Sequence, residues 1–350
     1  APATEQTREA YMAALFAEIG GRAKDYSDRT VTSIFIGGGT PSLLSGEQIG
    51  QLMDRIREQF AMAQDAEITM EVNPGTVSAE KLRNFYTAGI NRLSIGMQSA
   101  QAEELKNLGR IHDFEGFCQV YREAVEAGFT NINVDIMSGL PGQTLASYRD
   151  TLEKVLHLEP MPQHISAYSL IVEEGTPFAA MAERGELPLP EEETERAMYE
   201  ETIEVLAKYG FHRYEISNYA RDGYECRHNV GYWIRRDYLG FGIGAASLID
   251  NVRFQNEKSL GAYLAHPLES REEEQTLTVQ DRMEETMFLG LRLTRGVSCV
   301  DFAEQYGRTV EEVYGEVIAR NVADGLLTVT ERKENQKKDR FLALTKRGLD

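Results

Sequence analysis

Apolar positions switch between two periods along the chain. Tyr11, Met12, Leu15, Phe16 and Ile19 recur at helical spacing and predict an amphipathic helix over 5–19. VTSIFI at 31–36 predicts a strand, broken by GGGTP at 37–41. Ser45, with Gln48 three residues on, reads as the capping box of a helix from about Gly46 to Phe60. The alternation then repeats. Strands are predicted at 67–72, 92–97, 131–137, 164–170 and 212–217, and helices near 78–88, 114–127, 144–157 and 191–209. Strand starts recur roughly every 25–40 residues, as βα units of a parallel sheet require. A closed or partly open (β/α) barrel is the architecture this pattern predicts.

The two faces of these strands differ. Ile68, Met70 and Val72 share one face of EITMEV, and Thr69, Glu71 and Asn73 the other. Leu93, Ile95 and Met97 oppose Ser94, Gly96 and Gln98; Ile132, Val134 and Ile136 oppose Asn133, Asp135 and Met137. A closed barrel packs its lumen with branched side chains, so its strands are apolar on both faces. Burying the polar face without partners would cost about 1–3 kcal/mol per group. The expectation is a lumen wide enough for a polar ligand held by Glu71, Gln98 and Asp135 near the strand ends. Polar pairing inside the core, with no ligand, is the alternative.

The second half of the chain reads differently. Residues 218–260 look loop-like around the glycine-rich LGFGIGAAS at 239–247, and 266–280 reads as a polar linker. Beyond it, a helix over 282–293, shorter ones at 299–306 and 309–323, and a terminal hairpin resemble a winged helix. The expected division is a barrel at 1–265 and a small α+β domain at 266–350.

Charge narrows the partners. The 350-residue chain holds 37 Lys and Arg against 56 Asp and Glu, a formal charge of −19, which repels phosphate backbones overall. The basic exception is 331–350, where Arg332, Lys333, Lys337, Lys338, Arg340, Lys346 and Arg347 outnumber four acids. A DNA-binding wing and a solvated hairpin are both open there. Cys118, Cys226 and Cys299 are too far apart for a disulfide framework or a zinc knuckle, and they fit a reducing, cytoplasmic setting. No apolar run approaches the ~20 residues of a membrane span.

Four motifs carry candidate chemistry. GGGTP, between strand and helix, allows close backbone approach to a ligand, and equally a plain tight turn. GRIH at 109–112 supplies Arg110, a fork for a carboxylate or a surface charge. GLPGQT at 139–144 follows the Asp135 strand as a loop entering a helix. CRHNVGYW at 226–233 puts His228 and Asn229 beside Tyr232 and Trp233, the sole Trp. That set suits heme ligation and stacking, or a histidine in an aromatic core.

Taken in order, IFIGGGTPSLL, EITMEVNPGT, NRLSIGMQS, LGRIH, NINVDIMSGLPGQT, YSLIVEEGTP and HNVGYW resemble the radical S-adenosylmethionine family. Within it they are similar to oxygen-independent coproporphyrinogen III oxidase and its heme-chaperone relatives, over about 5–345. HNVGYW looks like the heme-chaperone branch. The resemblance implies a partial (β/α)6 barrel with a small C-terminal domain, S-adenosylmethionine, a 4Fe-4S cluster and heme as cofactors, and heme-acceptor proteins as partners. It implies cluster ligands on a CxxxCxxC loop before the helix at 5–19, and so an expected segment ahead of Ala1. It places Gly38, Gly39 and Thr40 at the methionine amino group. Glu71, Gln98 and Asp135 go to the amino-acid and ribose parts, Arg110 to the methionine carboxylate, and His228 with Asn229, Tyr232 and Trp233 to heme. Delivery of heme to acceptors is the function implied. The alternatives are oxidative decarboxylation of coproporphyrinogen III in porphyrin biosynthesis and a winged-helix nucleic-acid sensor, which the net charge disfavours.

Overall fold

The structure is a computed structural model, and it describes residues 4–269, 271–334 and 337–349. The alternating first half folds as its two periods dictate. Helix α1 (Glu5–Arg22) precedes β1 (Thr30–Ile36), and α2 (Gly46–Gln59) precedes β2 (Ala61–Val72). Next come α3 (Ala79–Thr87), β3 (Arg92–Gln98), α4 (Ala102–Asn107), α5 (Phe114–Ala127) and β4 (Ile132–Ser138). Then follow α6 (Leu145–Leu156), β5 (His164–Ser169), α7 (Pro177–Glu183) and α8 (Glu192–Lys208). The capping box of α2 is formed: Gln48 N–H donates to Ser45 Oγ at 3.1 Å, and Ser45 N–H to Gln48 Oε1 at 2.9 Å. Helix α5 stops at Gly128, whose φ of 111° suits glycine.

Strands β1 to β5 lie side by side in chain order, all parallel. A sheet whose order never reverses carries its crossover helices on one side, so it curls around the other. The result is the expected partial barrel, open along one side. The apolar strand faces are sealed under the helices: Met70, Leu93, Ile95, Val134 and Ile136 are fully buried. The opposite face lines the lumen.

Several expectations change beyond β5. The strand predicted at 212–217 shrinks to β6 (His212–Arg213). Glu215 then accepts from the Ser217 N–H at 2.7 Å and from Asn218 Nδ2 at 2.6 Å, which turns the chain into β7 (Asn218–Ala220). β7 pairs antiparallel with both β5 and β6, so β6 is the edge strand that ends the sheet. The loop-like 218–260 also holds α9 (Arg227–Trp233), β8 (Ala246–Ile249), β9 (Val252–Asn256) and the start of α10 (Leu260–Ala265). The 266–280 stretch is not a linker throughout, because β10 (Arg271–Thr276) pairs with β9. Sheet β10-β9-β8 therefore spans the boundary expected at 265/266. Strand β2 likewise starts six residues early, because Ala61 and Met62 pair with Thr30 and Val31 across an irregular register.

The C-terminal unit is a helical trio with a hairpin, as predicted. It comprises α11 (Val279–Gly290), β11 (Val297–Ser298), α12 (Cys299–Tyr306), α13 (Val310–Ala323), β12 (Leu327–Glu334) and β13 (Lys337–Leu344). Its strands are ordered β11-β13-β12 over a core of Met283, Phe302, Val310, Leu327 and Leu342. It is keyed to the barrel by charge. Glu285 pairs with Arg235 at 2.8 Å and with Arg253 at 2.7 Å. No helix among the described residues is long and apolar enough to cross a membrane.

Candidate functional site

The lumen polarity predicted from strand alternation is real, and its groups converge at the strand ends. GGGTP leaves β1 and arches over Glu71. Gly38 N–H donates to Glu71 Oε2 at 3.2 Å. Gly38 and Gly39 hold φ of 79° and 66°, where only glycine is unstrained. Gly37 is needed for closeness: an added Cβ would stand 2.8 Å from the Phe35 ring and 2.9 Å from the Glu71 carboxyl carbon. Thr40 precedes the turn at Pro41–Leu43, and its side chain does not cap it.

Gln98 reaches the lumen through a backbone irregularity. The β3–β4 register shifts between Gly96 and Gln98, and Gln98 adopts a φ of 67°. A non-glycine residue there costs about 1–3 kcal/mol, and such strain gathers at ligand sites. Tyr168 on β5 donates its hydroxyl to Gln98 Oε1 at 3.0 Å, which holds the amide in place.

Asp135 sits one strand over. It accepts from Ser94 Oγ at 3.2 Å and from Asn133 Nδ2 at 2.7 Å. Burial pushes its carboxyl above the ordinary value, and these hydrogen bonds and the nearby Arg92 charge pull it back. Glu71 is raised too, first by burial and then by Asp135, against the Gly38 N–H. Two carboxylates facing each other in a desolvated space attract a cation. Arg110 lies at the mouth, after α4, with its charge acting on Tyr168 and His112. It forms no ion pair among the described residues.

HNVGYW lies on α9, a helix where the sequence reads as loop. Nothing in its periodicity marks it, because its N-terminus is capped from another element. Glu67 on β2 accepts from the backbone N–H groups of Arg227 and His228, both at 3.0 Å, and from Cys226 Sγ at 3.4 Å. The cap sets His228 against β1. Its ring stacks on Phe35 at 5.2 Å, meets Tyr232 edge-on at 4.9 Å, and is hydrogen-bonded at both nitrogens: Nδ1 to Ser33 Oγ and Nε2 to the Tyr232 hydroxyl, each at 3.0 Å. Burial lowers the His228 pKa, against the pull of the Glu67 charge, and so favours the neutral imidazole. Phe35 thus touches both halves of the site: His228 on its face and the Gly37 loop at its edge.

The structure does not bring every predicted residue together. Trp233 leaves the cluster, because the guanidinium of Arg292 stacks on its ring at 4.3 Å. The Asn229 side chain makes no hydrogen bond among the described residues. Sequence reading missed Ser33, Phe35, Glu67 and Tyr168. The two-residue alternation of VTSIFI and HISAYS carries three of them, and Glu67 shares the Thr69 and Glu71 face of β2. Among the described residues no three His, Cys, Asp or Glu side chains gather as a metal site. Cys118, Cys226 and Cys299 are free and lie on separate elements.

Comparison with known proteins agrees with this geometry. The Radical SAM superfamily matches residues 3–155, and the HemN C-terminal domain matches 277–350. The heme chaperone HemW of Bacillus subtilis (strain 168) is 39% identical over 329 residues, covering 92% of this chain and 86% of that protein. The heme chaperone HemW of Escherichia coli (strain K12) is 37% identical over 308 residues, covering 86% and 78% respectively. The solved structure of the Escherichia coli coproporphyrinogen III oxidase HemN superposes with a TM-score of 0.81 at 27% identity, covering 98% of this chain and 81% of that one. A polar half-barrel with a glycine arch, a HemN-type C-terminal domain and relatives of this similarity lead to one assignment: the chain belongs to the HemW family of radical SAM proteins.

Proposed function

We propose that this chain is a heme chaperone that holds S-adenosylmethionine at the strand ends of the half-barrel and binds heme through His228. One observation carries the reading: α9 places the His228 ring inside the half-barrel, against the strand that leads into the glycine arch. The residues fit both groups. Space above Gly38 and Gly39 is open. Glu71 and Asp135 suit an ammonium and hydroxyls, and Arg110 is available for a carboxylate. A zwitterionic sulfonium nucleoside needs all of these at once. For heme, His228 supplies an imidazole nitrogen once one hydroxyl partner leaves, with Phe35 and Tyr232 as apolar walls.

The 4Fe-4S cluster that the family implies finds no ligand set among the described residues. The S-adenosylmethionine chemistry of the family comes from that cluster and cofactor. The work of these residues is to orient the cofactor and hold charge at fixed atoms. Gly38 N–H fixes the Glu71 carboxylate, Tyr168 fixes the Gln98 amide, and Ser94 and Asn133 fix Asp135.

Hemin titration followed by absorbance tests the reading. His228→Ala is expected to lose the parent's spectral change, and unchanged binding would remove His228 as ligand. The fold likeness to coproporphyrinogen III oxidase supports a second reading, which anaerobic turnover of coproporphyrinogen III by the full-length protein would favour. The nucleic-acid reading is weakened at its basic wing, where three of the seven basic groups are engaged within the protein. Arg340 pairs with Glu311, Lys346 pairs with Glu200 at 2.9 Å, and Arg332 stacks on Phe341. The side chains of Lys333 and Lys337 lie outside the described residues.

A further inference from the structure

Both ring nitrogens of His228 are engaged, which is an awkward state for a metal ligand. Ser33 Oγ lies 3.0 Å from Nδ1, and the Tyr232 hydroxyl lies 3.0 Å from Nε2. A neutral imidazole has one N–H and one lone pair, and iron needs the lone pair. Each hydroxyl can donate or accept, so the partners alone do not say which nitrogen faces iron. Their mobility does.

Ser33 is a one-carbon side chain on β1, whose backbone is paired with β2 through the neighbouring register Ser33↔Glu67. Rotation about its one side-chain torsion moves only Oγ and leaves β1 itself against the Nδ1 edge, where heme has no room. Tyr232 stands four residues after His228 on the same helix, so the pair shares a helix face. Its half-buried ring touches His228 edge-on at 4.9 Å and Tyr238 edge-on at 4.7 Å. It can swing about its side-chain torsions while α9 stays in place. The Phe35 ring covers one face of the imidazole at an interplanar angle of 27°. Only the Nε2 edge can be uncovered by a side-chain rotation.

We propose that Tyr232 caps the iron-binding Nε2 of His228 in the ligand-free protein, and that Ser33 is the positioning residue that accepts a hydrogen bond from Nδ1–H and so presents Nε2. The inference rests on the reading of His228 as heme ligand and deepens it. When heme binds, the Nε2 lone pair passes from the Tyr232 O–H to iron. The proton stays on Nδ1, still donated to Ser33 Oγ, so the ring releases no proton. A metal-bound histidine commonly donates its other N–H in this way. Loading is therefore opposed by one hydrogen bond of the free state.

The test uses the full chain and hemin, titrated by absorbance, with a second readout in the absence of hemin. Tyr232→Phe deletes the cap and is expected to tighten hemin binding about threefold to tenfold, the worth of one neutral hydrogen bond. Ser33→Ala is expected to weaken binding by a similar factor, and Ser33→Thr, which restores a hydroxyl suited to a strand, to recover it. Imidazole nitrogen NMR of the hemin-free parent is expected to show the proton on Nδ1, and Ser33→Ala to shift it toward Nε2. Unchanged or weaker hemin binding by Tyr232→Phe, alongside loss of binding in His228→Ala, would overturn the cap. A proton on Nε2 in the parent would overturn both roles. Full hemin binding by His228→Ala would instead sink the ligand assignment, and the inference with it.

Discussion

Glu67→Ala is the perturbation with the largest structural leverage on the heme half of the site. The Cys226 side chain does not cap α9, so the helix's first N–H groups depend on a carboxylate from β2. Glu67 is 5% exposed, while Arg227 beside it is exposed, so water can take over part of the lost cap. Truncation leaves the N–H groups of Arg227 and His228 unpaired. A fully buried donor left unpaired costs about 1–3 kcal/mol, out of a total stability of roughly 5–15 kcal/mol, and these two are only partly buried. The protein can limit this loss by detaching α9 locally. The expected global destabilisation is therefore near the low end, about 2 kcal/mol, with a larger loss in hemin affinity, at least tenfold. Glu67→Gln keeps one acceptor oxygen and is expected to lose about half as much. Urea unfolding gives the first quantity from the midpoint at constant slope, and hemin titration gives the second. S-adenosylmethionine affinity is expected to hold, because Glu67 lies two pleat repeats along β2 from Glu71, which the arch contacts. A Glu67→Ala protein within about 0.5 kcal/mol of the parent, with unchanged hemin affinity, would refute the idea that this carboxylate positions His228.

Three further outcomes follow from other contacts. Gly37→Ala puts a methyl 2.8 Å from Phe35 and 2.9 Å from the Glu71 carboxyl carbon. Overpacking of about 1–3 kcal/mol is expected, and calorimetry and absorbance are expected to show both S-adenosylmethionine and hemin binding weaken. Glu71→Gln removes a carboxyl raised by burial and by Asp135. Such a group lowers stability above its folded pKa, so the variant is expected to melt higher than the parent at pH 7. It loses that advantage below the ordinary carboxylate range, and it binds S-adenosylmethionine at least tenfold more weakly. His164 is sealed between Asn133 Oδ1 at 2.6 Å and the Tyr214 hydroxyl at 2.9 Å, and burial holds its pKa well below the ordinary value. The unfolded chain takes up that proton near pH 6.5 and the folded chain does not, so stability falls as pH drops through about 6.5. His164→Gln is expected to flatten this slope in urea midpoints between pH 5 and 8; an unaltered slope would contradict it.

How much was legible followed from what local sequence encodes. The parallel strands and their polar faces were readable because alternation is a property of neighbouring residues. Glu71, Gln98 and Asp135 came from that pattern alone. Helix α9 was not readable, because its cap comes from Glu67, 160 positions before Arg227. Strand β10 was hidden by its composition: Arg271 to Thr276 is polar, and its pairing with β9 is a tertiary fact. Trp233 was grouped with His228 by sequence proximity. Five residues of helix turned it toward Arg292. The buried Glu18–Arg22 pair, 3.0 Å apart, with Asn256 and Tyr263 on Glu18, likewise joins α1 to distant segments that no local pattern connects.

Calorimetric titration of S-adenosylmethionine into the parent chain and into Arg110→Ala tests the charged half-barrel most directly. The parent is expected to bind, and the variant to lose at least tenfold in affinity with its melting temperature unchanged, because Arg110 makes no ion pair among the described residues. Equal affinity in the two proteins, or no binding by the parent, would contradict the account.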